Sequence, residues 1–480
     1  MIGHGFGKWI FPALLAGLLG CSPAKDLGKE STAPPNIILL MADDLGWGDT
    51  GYNGHPVLQT PNLDSMAVEG VTLTRFYAAA PVCSPTRGSC LTGRHPNRYS
   101  IFSANVGHLP KEELTLAELL KAQGYRTGHF GKWHLGTLTR DTLDANRGGK
   151  PQFADEYAPP WLHGFETCFS TESKVPTWDP MRTPEKAAGG VGSQGLGNHF
   201  GTFYWNELGK RVGNNLKGDD SRVIMDRTID FITEAADREE PFFAVIWFHA
   251  PHTPMVAGPK YLAQYEAYAE NEQHYYGCIS AMDEQIGRLR STLKNLGLRQ
   301  NTLTFFTSDN GPENRKSRPR SLGITKGLSE RKRSLKEGGI RVPGLVSFPG
   351  ILPAGQTVDK PFSTSDYLPT ILELTEIAYP DDRPLDGKSM LPWLKGGTDK
   401  PAPPLFFDYQ EQMAIIDGQY KLYKSGKDSP FELYDLTTDP AELKDQSEAN
   451  PNIKAKLINA HKSWRASVSR SLKGADYQNR

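Results

Sequence analysis

The sequence predicts an α/β fold: a large, mostly parallel central sheet flanked by helices, followed by a small C-terminal antiparallel sheet with a helix. Three observations carry this. Asn36 to Met41, Pro241 to Phe248 and Thr302 to Thr307 are apolar runs of the kind buried on both faces of a parallel sheet. Segments of helical period stand between them. Each run ends in a polar cluster, Asp43-Asp44, His249-Ala250-Pro251-His252 or Ser308-Asp309-Asn310-Gly311. Open α/β sheets place their ligands at such carboxyl ends of strands.

The 480 residues suffice for one large domain and a smaller one. A formal net charge of −1 gives no global attraction for nucleic acid, so affinity for any polyanion must come from local patches. At the amino terminus Lys8 precedes an apolar run, Trp9 to Leu19, too short to span a bilayer. Leu18-Leu19-Gly20-Cys21 resembles a bacterial lipobox. Residues 1–20 therefore read as a lipoprotein-type signal peptide, Cys21 as a lipid anchor and 21–35 as a polar tether. A plain secretory signal is the alternative. Both export the protein, to the periplasm or the cell surface. Cys90, Cys168 and Cys278 are too few for a disulfide framework; a Cys168–Cys278 bridge is open, with three buried free thiols the favoured reading.

In chain order, Pro61 to Glu69 reads as a short helix and Val71 to Tyr77 as one strand. Pro85 suits a first helical turn, which places Cys83 just before a helix N-terminus. Glu113 to Gln123 reads as an amphipathic helix closed by Gly124, and Arg126 to Phe130 as a strand. Residues 137 to about 218, rich in Gly, Pro, Trp and His, read as a long loop-rich insertion of the kind that is functional or disordered. Asp219 to Ala236 is a helix with an acidic start, Tyr261 to Leu296 a long helical region, and Ser365 to Leu374 a helix. Pro401-Ala402-Pro403-Pro404 separates a main domain, 36–400, from a small α+β subdomain, 401–480. The latter has short alternating runs at 405–409, 413–416, 420–423 and 432–435, a terminal helix at about 451–469, and a frayed tail from Lys473.

Several of these residues carry chemistry. Asp43 and Asp44 repel each other unless a cation neutralises them. With Asp309 and Asn310 they form an all-oxygen set suited to Ca²⁺ or Mg²⁺ and poor for zinc. Cys83 is a low-pKa nucleophile, a modified residue or a buried structural cysteine, and Arg87 stands one turn on. Lys132 and His134 are two apart, on one face of an extended segment, as suits an anionic ester. Residues 313–337 are strongly basic, including Arg315, Lys316, Arg318, Arg320, Lys332 and Lys336.

The wording of four segments goes further. Cys83-Ser84-Pro85-Thr86-Arg87 leads to Thr92-Gly93-Arg94. The others are Ala42-Asp43-Asp44-Leu45-Gly46 with Gly48-Asp49, Gly131-Lys132-Trp133-His134-Leu135-Gly136, and Glu337-Gly338-Gly339-Ile340-Arg341-Val342-Pro343. Over roughly residues 36 to 440 the chain resembles the type I, formylglycine-dependent, arylsulfatase-like sulfatases of the alkaline phosphatase superfamily. The resemblance implies that superfamily's fold. It implies that a formylglycine-generating enzyme oxidises Cys83 to Cα-formylglycine, and that Asp43, Asp44, Cys83, Asp309 and Asn310 hold Ca²⁺, or Mg²⁺. It further implies catalytic roles for Cys83, Arg87, Lys132, His134, His252 and Lys332. The family often has Tyr before the Glu of the last segment, where this chain has Lys336, so Lys336 competes with Lys332 as the sulfate-binding lysine. The implied reaction is sulfate-ester hydrolysis on a sulfated carbohydrate, such as a carrageenan-like algal galactan or a glycosaminoglycan. A phosphate or phosphonate ester hydrolase and an inactive glycan-binding lipoprotein are the alternatives.

Overall fold

The computed structural model describes residues 1–5, 7, 33–186, 195–313, 322–398 and 400–477. The apolar signal run, Cys21, most of the tether, most of the Gly-rich run at 189–197, and Arg315, Lys316, Arg318 and Arg320 lie outside them. The chain divides into a short unit, Met1–Thr32, and a compact one, Ala33–Arg480. Residues 1–5 and 7 of the first are irregular and exposed. All elements below belong to the second. None of its described helices is long and apolar enough to cross a membrane.

The first half of the compact unit contains β1 (Asn36–Ala42), α1 (Pro61–Glu69), β2 (Val71–Leu73), β3 (Phe76–Tyr77), α2 (Cys83–Thr92), α3 (Leu116–Lys121), β4 (Arg126–Lys132), β5 (Thr167–Thr171), α4 (Asp220–Asp237) and β6 (Phe242–Trp247). Then come α5 (Pro259–Gln264), α6 (Glu270–Asn295), β7 (Thr302–Ser308), α7 (Glu337–Ile340), β8 (Arg341–Val342), β9 (Leu345–Ser347), β10 (Gln356–Val358), β11 (Phe362–Ser363), α8 (Tyr367–Leu374) and α9 (Leu391–Leu394). The chain closes with β12 (Leu405–Tyr409), β13 (Gln412–Asp417), β14 (Tyr420–Lys424), β15 (Glu432–Asp435) and α10 (Pro451–Leu472).

The main sheet has the order β10-β2-β9-β7-β1-β6-β4-β5 and is parallel except where β9 pairs with β7 and β2. β1, β6 and β7 are buried along their whole lengths. Because side chains alternate, Ile37, Leu39 and Met41 face one core, with α2, α3 and α8. Ile38 and Leu40 face another, with α1, α4 and α6. Both faces being covered, the strands read as continuous apolar runs. The β12-β13-β14-β15 sheet is antiparallel. Leu405, Phe407 and Ile416 on one face pack on Tyr77, Val82 and Ile340, and Ile415 and Leu422 on the other pack on Leu457 of α10.

Several expectations are corrected. The strand at 71–77 is two strands in different sheets, turned at Thr74–Arg75, where the Arg75 guanidinium donates to the Gly418 carbonyl. The helix at 113–123 starts at Leu116, because Thr115 and Glu118 form a capping box. The helical region 261–296 is α5 and α6 with a break between them. The insertion contributes an edge strand, β5, parallel to β4. The favoured reading of the cysteines holds, by contrast: Cys90, Cys168 and Cys278 are free and buried. The tail is held through residue 477: Asp476 accepts from Arg94, and Tyr477 donates to Glu113.

Candidate active site

The carboxyl ends of β1, β6, β7 and β4 meet the start of α2. β1 delivers Asp43 and Asp44, both buried, with Asp44 in the left-handed region at φ 68° that aspartate tolerates better than most residues. β7 delivers Asp309 and Asn310, both fully buried. Cys83 opens α2 after Val82, which caps it in extended conformation, so it is the first helical residue and not the one before. One ligand atom from each of Asp43, Asp44, Cys83 and Asp309 fits within 4.8 Å of the others. Asn310 donates Nδ2 to Asp44 Oδ1 at 2.7 Å, while its Oδ1 is buried with no hydrogen-bond partner among the described residues. A buried acceptor without a donor and three crowded carboxylates are the chemistry of a hard-cation site. The residues fit the expected divalent ion.

Cationic side chains surround the acids. Arg87 donates Nε and Nη2 to Asp309 Oδ2 at 3.0 and 2.6 Å, and Nη1 to the Lys132 carbonyl at 2.9 Å. Lys132 Nζ lies 2.6 Å from Asp43 Oδ2. Lys332 Nζ binds Asp44 Oδ1 and lies 3.4 Å from Cys83 Sγ. Lys336, the competing lysine, points elsewhere: its Nζ is 2.9 Å from Tyr434 OH and lies over the Tyr423 and Tyr434 rings. Of these two lysines, it is Lys332 that reaches the acidic cluster.

Charge and burial set the protonation states. Burial tends to raise Asp43, yet Lys132, His252, Arg87 and Lys332 together hold it well below the carboxylate range. Asp309 is pushed up to about 6 by burial and then by the Asp43 charge, with Arg87 and Lys132 opposing. Of the readings open for Cys83, the low-pKa thiolate is not found. Burial, then Asp309, pushes the thiol up to about 12 despite Lys132 and Lys332. The unmodified residue is a protonated thiol and a poor nucleophile. Burial would lower Lys332, but Asp44, Cys83 and Glu313 raise it well above the ordinary value, so it stays charged.

Two histidines complete the site. His134 is 3 % exposed, and burial followed by Lys132 and Arg147 holds it well below its ordinary pKa. The shared extended face with Lys132 is not formed. β4 stops at Lys132, and His134 turns left-handed at φ 60°, its N–H donating to the Glu172 carbonyl at 3.0 Å. His252 Nδ1 donates to the Thr253 carbonyl at 2.7 Å, which leaves Nε2 3.8 Å from Asp44 Oδ2. Burial, with Lys132 and Lys332, lowers its pKa well below normal, Asp43 opposing. His249 lies between Asp220 and Thr171, 2.8 Å from each, as a packed structural residue.

Residues not singled out in the sequence also frame the site. Glu313 binds Arg333 and stands 4.0 Å from Lys332. Asn105 binds His134 at 2.9 Å. An acid inside the basic run was a legible signal for Glu313; a lone asparagine in a loop carried none for Asn105.

Comparison with known proteins follows the same lines. The family model described as Sulfatase matches residues 35–377, and one described as N-sulphoglucosamine sulphohydrolase, C-terminal, matches 329–465. N-acetylgalactosamine-6-sulfatase of Mus musculus is 33% identical over 411 residues, covering 83% of this chain and 73% of the relative. Steryl-sulfatase of Rattus norvegicus is 33% identical over 456 residues, covering 83% and 77%. The crystal structure of Ps i-CgsB in complex with k-i-k-neocarrahexaose superposes with a TM-score of 0.75 at 28% identity, covering 90% of this chain and 93% of that one.

Proposed function

The chain belongs to the sulfatase family, as a type I sulfatase of the alkaline phosphatase superfamily and a sulfuric ester hydrolase, and on that premise we propose that it hydrolyses sulfate esters of a sulfated carbohydrate with a formylglycine formed from Cys83. The observation that carries this is the set of three cations, Arg87, Lys132 and Lys332, converging on Asp43, Asp44, Cys83 and Asp309 at the ends of the strands. A protonated thiol at position 83 supports the need for modification, since a hydrated aldehyde supplies a hydroxyl nucleophile that a buried thiol does not.

Asp43, Asp44, Asp309, the free Oδ1 of Asn310 and the side chain at 83 would hold Ca²⁺, or Mg²⁺. When bound, that ion supplies a Lewis acid and a template for one sulfate oxygen. Lys132 and Lys332, both buried, neutralise the sulfate oxygens as charge develops, Lys332 being held charged by Asp44. Arg87 holds Asp309 and the Lys132 backbone, so that helix α2 and strands β4 and β7 keep one geometry. His252 faces the site through Nε2; an arriving anionic ester raises its proton affinity, and it gives the proton to the departing alcohol oxygen. His134, neutral in its buried position, takes the proton from the hydroxyl at residue 83 as sulfate leaves.

The substrate class rests on two of the three relatives, one named N-acetylgalactosamine-6-sulfatase and one bound to k-i-k-neocarrahexaose, so a carrageenan-like galactan or a glycosaminoglycan is the candidate. Maturation by a formylglycine-generating enzyme, export by residues 1–20 with lipid at Cys21, and a catalytic domain at 36–400 with a subdomain at 401–480 belong to the same proposal. Matched aryl sulfate and aryl phosphate esters test it, on protein in which mass spectrometry shows residue 83 converted. Faster sulfate release is expected. Faster phosphate release would overturn it.

A further inference from the structure

We infer that Asn105, braced by Asn146, is a positioning residue that fixes the His134 tautomer with its proton on Nε2 and leaves Nδ1 as the basic atom of the site. This deepens the sulfatase proposal and rests on His134 acting there as the base.

The hydrogen-bond chain dictates the tautomer. His134 Nε2 lies 2.9 Å from Asn105 Oδ1. The same oxygen accepts an N–H from Asn146 Nδ2 at 2.9 Å, and Asn146 Nδ2 also reaches Ser173 Oγ at 3.3 Å. An amide oxygen only accepts, so the ring nitrogen facing it must donate. Nε2 therefore carries the hydrogen and Nδ1 the lone pair. Nδ1 is buried, and no hydrogen-bond partner reaches it among the described residues. A buried acceptor left open is costly, and a base that receives the proton of the hydroxyl at residue 83 accounts for it.

Backbone placement supports this. Asn105 and His134 both adopt left-handed conformations, with φ of 60° each. Asparagine tolerates that region better than most residues. The Asn105 N–H reaches Ser84 Oγ at 3.5 Å, next to residue 83 in the chain. The His134 N–H is tied to the Glu172 carbonyl at 3.0 Å. The imidazole is thus held between the start of α2 and the end of β5. When the hydroxyl on the side chain at 83 loses its proton, Nδ1 gains it. The ring becomes an imidazolium whose Nε2–H stays on Asn105, so neither rotamer nor tautomer has to change.

The test reads the tautomer first and the rate second. Protein with ¹⁵N-labelled histidine and Cys83 as the thiol is examined by NMR, with His134 assigned through His134→Gln. The wild type should show a pyrrole-type Nε2 and a pyridine-type Nδ1 at His134. Asn105→Ala should give mixed tautomers, and Asn105→Asp, which keeps an acceptor in place, should restore the single form. In matured protein Asn105→Ala should lower kcat about 10- to 100-fold with KM within about threefold, a part of what a general base contributes. Asn105→Asp should recover most of that loss. Asn146→Ala, at an exposed position that leaves the fold intact, should give a smaller loss with the same tautomer mixing. A wild-type His134 protonated on Nδ1, or an Asn105→Ala protein with one tautomer and full kcat, would overturn the inference. Absence of sulfate release by matured wild type would instead sink the sulfatase proposal and leave the NMR result standing.

Discussion

Arg87 with Asp309 and Arg98 with Asp386 are two arginine–aspartate pairs, the first fully buried and the second with a partly exposed carboxylate, and the two carboxylates shift in opposite ways. Asp386 accepts from the His95 N–H at 2.6 Å, Arg98 Nε and Nη2 at 2.7 and 2.9 Å, and Trp464 Nε1 at 2.7 Å. Burial raises its pKa, but Arg98 and His95 bring it below the ordinary value. Asp309 takes both Arg87 bonds on one oxygen and a single N–H, from Asp44 at 3.1 Å, on the other. It is pushed up to about 6 by burial and the Asp43 charge. The difference lies in the company each keeps. Asp386 stands alone among donors and is complete. Asp309 stands among carboxylates, and the group as a whole calls for a cation.

Substitution of the two acids separates these roles most sharply. Asp309→Asn is expected to lower kcat/KM by about 10³-fold or more while leaving the thermal midpoint of the metal-free protein nearly unchanged. Asp386→Asn is expected to cost about 3–5 kcal/mol of stability, because Arg98 is left buried with half a partner, while kcat stays within about twofold. Steady-state kinetics and thermal melts on both variants decide this; loss of kcat in a fully folded Asp386→Asn protein would erase the distinction.

The lysines give the next largest contrast. Lys332→Ala should lower kcat/KM about 10²- to 10³-fold, since Lys332 is the cation beside Cys83 Sγ. Lys336→Ala should change it by less than about threefold, because Lys336 serves Tyr434 and the small sheet. Equal losses in the two variants would return the choice to an open question.

Which parts were legible follows from chain locality. Asp43, Asp44, Asp309 and Asn310 lie directly after apolar runs that could be only buried strands, so pattern alone placed them at one edge of the sheet. Lys332 was ambiguous against Lys336, because the basic run has no period that orients it; in the structure Lys336 packs over Tyr423 and Tyr434 instead of on the acidic cluster. The sequence reading put His134 on an extended face with Lys132, and the structure does not, since the left-handed turn depends on the carbonyl of Glu172, just past the end of β5. β5, β9 and β10 went unread because strands of only three to five residues show too little alternation. The tail was read as frayed because Arg94, its anchor, is hundreds of residues away in sequence.

Metal removal sharpens the contrast further. Chelation should abolish activity and lower the thermal midpoint, and Ca²⁺ or Mg²⁺ should restore both; a ligand at 100 times its Kd adds about 2.7 kcal/mol. Asp309→Asn should blunt that response, whereas Asp386→Asn should retain it. A wild-type midpoint and rate indifferent to chelation and to added ion would contradict the oxygen site.

The pH dependence runs the other way round, in favour of the structural pair. The folded pKa of Asp386 lies below its unfolded value, so its contribution is fully present above the unfolded pKa of about 4 and is lost as pH falls through the folded value. Asp386→Asn should therefore lie below wild type at neutral pH and converge on it in acid, a gap that melts at a series of pH values measure. The smallest effect is expected at the tail, where Asp476→Ala, removing one partly exposed partner of Arg94, should cost about 1 kcal/mol with no change in kcat.

The central claim is that this site, with residue 83 matured, releases sulfate from a sulfated carbohydrate. The most direct measurement is sulfate release from a panel of carrageenans and glycosaminoglycans by protein co-expressed with a formylglycine-generating enzyme, with Cys83→Ser in parallel. Release from at least one polymer, reduced to at most a single turnover in Cys83→Ser, is the predicted result. Complete conversion of residue 83 with no release from any of them, or sustained turnover by Cys83→Ser, would contradict the account.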